Sequence, residues 1–323
     1  MTRKDGLQEE SEKVRRAASG TGLSMLRVAG TIVLIAALFY FFDARAILQR
    51  LAAIDILDAC LALLVLCIQY LAGAARWHYI LLRHDIRLPL LNSLAIFGSA
   101  SFAQSIMSHT VVPLSVKGVM LKGQGAGTSR MLGVLLVERL AAASGLAVCF
   151  LVSITLAFAQ FREMVVGVSV TTMVVIAAVA LLMAAGGLLT LRVSRVRNFA
   201  REIRGSFFAL PVVASLVLMS TAIVYMGFYS VALLAWGMHL NVGALDLLIV
   251  LPLVAFAAAL PVSLGGWGVR EGMMVATLSL FGVPAEAALA LSITYGLLGT
   301  ASSMLLGAVC ALLFQRRERR DHK

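Results

Sequence analysis

Long apolar runs separated by short clusters of Lys and Arg set the pattern of this chain. Apolar stretches cover 28–42, 56–75, 131–158, 164–191, 207–237 and 287–314. Several exceed about 18 residues, the length at which an uninterrupted run reads as a transmembrane helix. Unbroken runs of this length, without alternating ten-residue segments, exclude a transmembrane barrel. The first run follows a charged tail of 27 residues that lacks a small-x-small cleavage site, so it reads as an uncleaved anchor.

The positions of the basic residues give these runs a direction. Cytoplasmic loops collect Lys and Arg, and the tail 1–27, the loop 192–206 and the tail 316–323 are the basic clusters. Both termini are therefore placed in the cytoplasm. Two apolar stretches do not fit a simple count. The stretch 88–116 lies between clusters holding Arg76, Arg83 and Arg87 on one side and Lys117, Lys122 and Arg130 on the other, so it must cross an even number of times. Its 29 residues are too few for two spans of about 20. The stretch 247–282 meets the same constraint from the opposite side and holds Leu260 to Gly272, with a proline, three glycines in four positions and an Arg-Glu pair. Both are expected to be re-entrant helical hairpins. The fold expected is all-α: a polytopic integral membrane protein with about six full spans plus two re-entrant hairpins. Its first membrane half is 28–191 and its second 207–315.

The two hairpins also resemble each other. Val112-Pro113-Leu114-Ser115-Val116-Lys117-Gly118 lines up with Leu260-Pro261-Val262-Ser263-Leu264-Gly265-Gly266 at an offset of 148, which sets Lys122 against Arg270. One hairpin enters from inside and the other from outside, as in an inverted-topology repeat whose site lies near the midplane where broken helices meet. Helix N-termini there supply free N–H donors, and a nearby Lys or Arg adds a full charge, so an anionic group such as a phosphate suits the site.

Composition agrees: 61% of the 323 residues are hydrophobic and 13% charged. The net charge of +11 falls in the loops and tails of a membrane protein, so no nucleic-acid partner is expected. Cys60, Cys67, Cys149 and Cys310 lie inside apolar runs without metal spacing and read as packing residues; no metal or cofactor is expected. No G-x-x-x-x-G-K-[ST] loop is present, which leaves a gradient, a partner or mass action as the energy source.

Pro261-Val262-Ser263-Leu264-Gly265-Gly266-Trp267-Gly268-Val269-Arg270-Glu271-Gly272, followed by Leu280-Phe281-Gly282-Val283, resembles the second signature of the lysylphosphatidylglycerol synthase transmembrane, or flippase-like, family. Arg76-Trp77-His78-Tyr79-Ile80-Leu81-Leu82, Val112-Pro113 to Lys122, and Glu138-Arg139-Leu140 resemble its earlier segments in order. Two departures stand out. The acidic residue the family usually carries after the glycine of the first hairpin is absent, and Ala141 to Ala143 replace the acid that often follows its E-R-L motif. The resemblance implies translocation of lipids or lipid-linked sugars between leaflets of a bacterial inner (cytoplasmic) membrane. With only about eight residues beyond the last span, the chain is not expected to carry a synthase domain or to be an enzyme.

On this reading Arg270, Glu271, Lys122, Ser263, Gly265, Gly266, Trp267, Ser115 and Arg139 are the expected substrate-binding residues, and Glu138 and His109 the coupling or charge partners. Arg270 is directed at a substrate phosphate, with Glu271 holding it or pairing with Lys122. A purely structural ion network is the competing account. For His109 a hydrogen bond to a backbone carbonyl is preferred over a proton relay, and for Trp267 an interfacial anchor is the more usual role, with a stack on acyl chains or a cap on the cavity as the alternative. Expected partners are membrane lipids with an anionic headgroup or a linked sugar, an envelope-lipid synthase or glycosyltransferase, and a second copy in a homo-oligomer. Three further readings remain: a non-catalytic partner of an envelope synthase, a secondary carrier of a small solute, and an intramembrane transferase. The last lacks a paired acid/base constellation.

Overall fold

The computed structural model describes residues 45, 49–51, 53–107, 112–125, 127–160, 209–259 and 267–321. The expected spans at 28–42 and 164–191, the loop 192–206 and the two hairpin tips, with His109, Ser263, Gly265 and Gly266, lie outside the described residues. The regular elements among the described residues are all helical. They are α1 (Ile56–Arg83), α2 (Leu90–Met107), α3 (Val112–Gly123), α4 (Thr128–Gln160), α5 (Leu210–Gly237), α6 (Ala244–Ala259), α7 (Val269–Leu278) and α8 (Ala285–Asp321). A 3-10 turn, Ser279–Phe281, joins α7 to α8 through Gly282 in the left-handed conformation.

Four described helices are long and apolar enough to cross a membrane: α1, α4, α5 and the Ala285–Cys310 part of α8. They coincide with four of the six expected spans. Their outward faces carry exposed Leu64, Ile68 and Leu71 on α1, Leu132 and Leu151 on α4, and Leu297 and Leu305 on α8. Water would penalise such a belt and hydrocarbon would not.

α1 runs past the expected end of its span at Ala75, so the Arg76 to Tyr79 segment is helical and not an interfacial loop. Its buried face continues through Tyr70, Gly73, Trp77 and Ile80 at the three-to-four spacing of one helix side, and takes Arg76 in with it. Lys117, expected in a basic loop, stands in the middle of α3 and is buried.

The packing has a two-fold pattern. The packed pairs are α1 with α5, α2 with α8, α4 with α6, α4 with α5, α1 with α8, α2 with α3, α6 with α7, α3 with α4, α7 with α8, α1 with α2, α5 with α6, α5 with α8, and α1 with α4. Exchanging α1 with α5, α2 with α6, α3 with α7 and α4 with α8 returns the same set. The chain therefore contains two halves that pack alike. Equivalent helices begin at Val112 and Val269 and at Thr128 and Ala285, a wider offset than the short sequence match gave. That register equates Lys122 with Ser279 rather than with Arg270.

Each half closes around its own apolar cluster. Leu234, Leu247, Leu251, Met274, Leu278 and Leu289 fill the one beside α6 and α7. Trp77, Ile80, Ile96, Leu121, Val134 and Leu216 fill the one beside α2 and α3. Polar side chains stitch the central α1–α5 contact: Gln69 Nε2 donates to the Ile223 carbonyl at 2.8 Å, Arg76 Nη1 to Ser220 Oγ at 2.8 Å, and Ser230 Oγ to the Ala62 carbonyl at 3.2 Å. In hydrocarbon, where water cannot compete for these groups, hydrogen bonds between helices hold them in register.

Candidate functional site

A cavity of about 410 Å³ opens where α1, α2, α5 and α8 face the start of α7. α1 contributes Gln69, Tyr70 and Arg76, α2 contributes Phe97, Ser101 and Gln104, and α8 contributes Tyr295, Gly296, Thr300 and Ser302. Trp267 and Arg270 line it from the second half. Both helix pairs thus reach one space, α2 from the first and the head of α7 from the second.

Arg270 gets its position from the way α7 starts. Gly268 caps the helix at a φ of 85°, a left-handed conformation that a side chain would strain. Its N–H donates to Glu271 Oε2 at 2.6 Å, so the third helical residue reaches back over the helix start. That turns the other carboxylate oxygen toward Arg270, whose Nε and Nη2 donate to Glu271 Oε1 at 3.0 and 2.6 Å. Of the two partners expected for Glu271, Arg270 and Lys122, it meets Arg270: the cap bends Glu271 back and the long Arg270 side chain folds over it. Ser292 Oγ on α8 donates to the same carboxylate oxygen at 3.3 Å, and Arg270 Nε also reaches Ser292 Oγ at 3.2 Å. The guanidinium lies 4.7 Å from the Trp267 ring centre and 5.8 Å from that of Tyr295. α8 accommodates it by having no side chain at Gly296, where a Cβ would stand 2.2 Å from Arg270 Nη2.

Behind Phe97 lies a second charge centre. Lys117 on α3 forms an ion pair with Glu138 on α4, both buried, and its Nζ sits 4.5 Å from the ring centres of Trp77 and Phe97. Cations over ring faces are favoured by the quadrupole, more so when water is excluded. Glu138 was expected as a coupling or charge partner. Its partner is Lys117, one and a half turns earlier on α3 than Lys122.

Of the expected site residues, Arg270 and Trp267 line the cavity and Glu271 lies beneath them, 2% exposed. Glu138 belongs to the second centre. Ser115, Lys122 and Arg139 are exposed and do not line the cavity. The sequence reading missed Arg76 and Lys117, and it passed over Tyr295 and the hydroxyl groups of α8. Arg76 was counted with a basic cluster because the span was ended at 75; the helical stripe running on to Ile80 was the signal that it turns inward. No group of three His, Cys, Asp or Glu that could hold a metal occurs among the described residues. The four cysteines are unpaired thiols, with Cys149 and Cys310 buried among spans.

These features define a helical membrane protein with a polar, arginine-bearing cavity shared by two similarly packed halves. The chain matches the family described as lysylphosphatidylglycerol synthase TM region over residues 24–307, and it belongs to that family. The match is to the membrane region of such proteins. No curated protein matches the chain significantly.

Proposed function

We propose that this protein is a flippase-like transporter in the bacterial cytoplasmic membrane, both termini inside, that passes an anionic phospholipid or a polyprenyl-phosphate-linked glycolipid between leaflets. The observation that carries the reading is the cavity itself: Arg76 and Arg270 line one space that both helix pairs reach. A headgroup would cross through that space while the acyl or prenyl tail stays in the bilayer. Membrane-depth charges are rare, and those that persist mark substrate paths.

Helix length supports the re-entrant part of the reading. At 1.5 Å per residue the segments Leu90–Gly123 and Ala244–Leu278, 34 and 35 residues, measure about 51 and 53 Å if helical throughout, short of two crossings of a hydrocarbon core of about 30 Å. Each pair would then enter and leave by one face, and the exchange pattern of the packing supports an inverted repeat.

The test is leaflet exchange of fluorescent phosphatidylglycerol in vesicles reconstituted with the purified protein, read by dithionite bleaching. Wild type should exchange the lipid and Arg270→Ala should lose exchange, while eluting as wild type does on size exclusion. Arg270→Lys keeps the charge but not the two-pronged grip on Glu271, and should fall between them. Unchanged exchange in Arg270→Ala would sink the assignment.

A further inference from the structure

The two halves pack by one plan, yet their equivalent crossings are not in the same state. Equivalent helices start at Ile56 and Leu210 and at Thr128 and Ala285, which makes Leu66 the counterpart of Ser220, Gln69 of Ile223, and Gly145 of Ser302. A two-fold relation brings counterparts together at its axis, and Gln69 Nε2 does donate to the Ile223 carbonyl at 2.8 Å. The α1–α5 crossing is therefore the pivot that relates the halves. Arg76 Nη1 on Ser220 Oγ and Ser230 Oγ on the Ala62 carbonyl tie it on either side.

Away from the pivot the halves differ. α4 lies hard against α5: a Cβ at Gly145 would stand 2.5 Å from the Ser220 carbonyl carbon and 2.8 Å from its oxygen, backbone atoms that cannot turn aside. Four residues back on the same face of α4, Ala141 is 5% exposed, in the apolar cluster that holds Val212 and Leu216 of α5. The counterpart crossing, α8 with α1, encloses the cavity instead. Leu66, Gly299 and Ser302 line it, and a Cβ at Gly299 would meet nothing within 4 Å. One crossing is shut and its twin stands open, although each half has the helices to do what the other does. We propose that the protein has a second state in which the two crossings exchange roles: α8 closes on α1 along Gly299 and Ser302, and α4 parts from α5 at Ala141 and Gly145, with the α1–α5 crossing as the fixed pivot. Gly145 and Gly299 are the positions whose lack of a side chain lets each crossing close in its turn. The inference deepens the transport reading by giving it an alternating path, and rests on that reading for its purpose, but the two states are read without following any lipid.

The experiment is thiol labelling of the full chain in phosphatidylcholine nanodiscs, where both faces are open to a small charged methanethiosulfonate. Each modified cysteine is located by mass spectrometry, so the native thiols stay in place. Thr300→Cys reports the cavity and Ala141→Cys the closed crossing. Ala141→Cys should label at least about tenfold more slowly than Thr300→Cys, as for a site wetted only in a minor state of up to about 10%. Adding Gly145→Ala wedges the closed crossing. It should speed Ala141→Cys labelling about fivefold or more, the low end for one extra methyl group in a packed contact, and slow that of Thr300→Cys. Gly299→Leu, which fills open space and leaves the present packing intact, should hold α8 off α1 and slow Ala141→Cys labelling below its rate with Gly299 in place. Faster Ala141→Cys labelling with Thr300→Cys unchanged would be local loosening and would overturn the inference, as would a Gly299→Leu variant without effect. The Gly299→Leu result decides alone if Gly145→Ala does not fold. Reciprocal labelling in a protein that exchanges no lipid would count against the transport reading alone, and lipid exchange without reciprocal labelling against the second state alone.

Discussion

The Lys117–Glu138 pair gives the sharpest test of how this bundle is held together. The two side chains are 6% and 11% exposed and join α3 to α4. Removing one partner of a buried pair leaves an uncompensated charge, at a cost of about 3–5 kcal/mol. The two removals should not cost the same. Lys117 without Glu138 still lies over Trp77 and Phe97, each contact giving up to about 2 kcal/mol when desolvated. Glu138 without Lys117 has no other hydrogen-bond partner among the described residues. Lys117→Met should therefore destabilise by about 3–5 kcal/mol, and Glu138→Gln by about half of that. The double variant should be more stable than Lys117→Met alone, with a coupling of at least about 1.5 kcal/mol. The measurement is unfolding by sodium dodecyl sulfate in mixed micelles, followed by circular dichroism. Additive single effects, or a larger loss in Glu138→Gln than in Lys117→Met, would refute the account.

Two further outcomes follow from the same geometry. Gly296→Ala puts a Cβ 2.2 Å from Arg270 Nη2; the flexible guanidinium should yield before the helix does, so the protein should fold yet exchange lipid about tenfold more slowly, the scale of one charged hydrogen bond, and wild-type exchange would refute this. His84, just after α1, is buried, and burial pushes its imidazole down to about 4, with Asp85 working weakly the other way. It should stay neutral through physiological pH, and its contribution to stability should be whole above about pH 6.5 and be lost as pH falls toward 4; a ring titration by NMR with a midpoint near 6.5 would contradict this.

How much of this was legible beforehand depends on the physical signal each feature leaves. The long spans were legible because twenty apolar residues have few other uses, and the runs that became α1, α4, α5 and α8 were recognised as spans. Arg270 and Glu271 stood out because charges beside glycines in an apolar stretch are costly. The pairing of charges was not legible, because it depends on helix phase. Lys117 and Lys122 lie on one helix, yet only Lys117 turns toward Trp77, Phe97 and Glu138. A loop boundary drawn at residue 116 hid that difference. Arg76 was lost for a related reason: loop charge and span charge look alike in sequence when a helix extends beyond its apolar run. The repeat was sensed, but in the wrong register, since packing equivalence resides in helix starts and neighbours rather than in a seven-residue match.

The two halves share a packing plan but differ in how they use charge. In the first half the ion pair crosses from α3 to α4, so releasing Lys117 would unfasten one helix from another. In the second half the equivalent helices, α7 and α8, share no ion pair among the described residues; Arg270 bonds to its own neighbour Glu271, and α8 offers only the Ser292 hydroxyl and the Tyr295 ring. Glu271 meanwhile keeps the Gly268 N–H and Ser292 whatever Arg270 does. Rearranging Arg270 thus breaks no charged link between helices, and its charge can be redirected at a cost set by one neighbour. On the transport reading proposed above, an anion arriving beside Arg76 would meet a guanidinium held by Ser220 and a second one that can turn without breaking a charged link between helices. Lys117 and Glu138 would then be the frame for that exchange of partners.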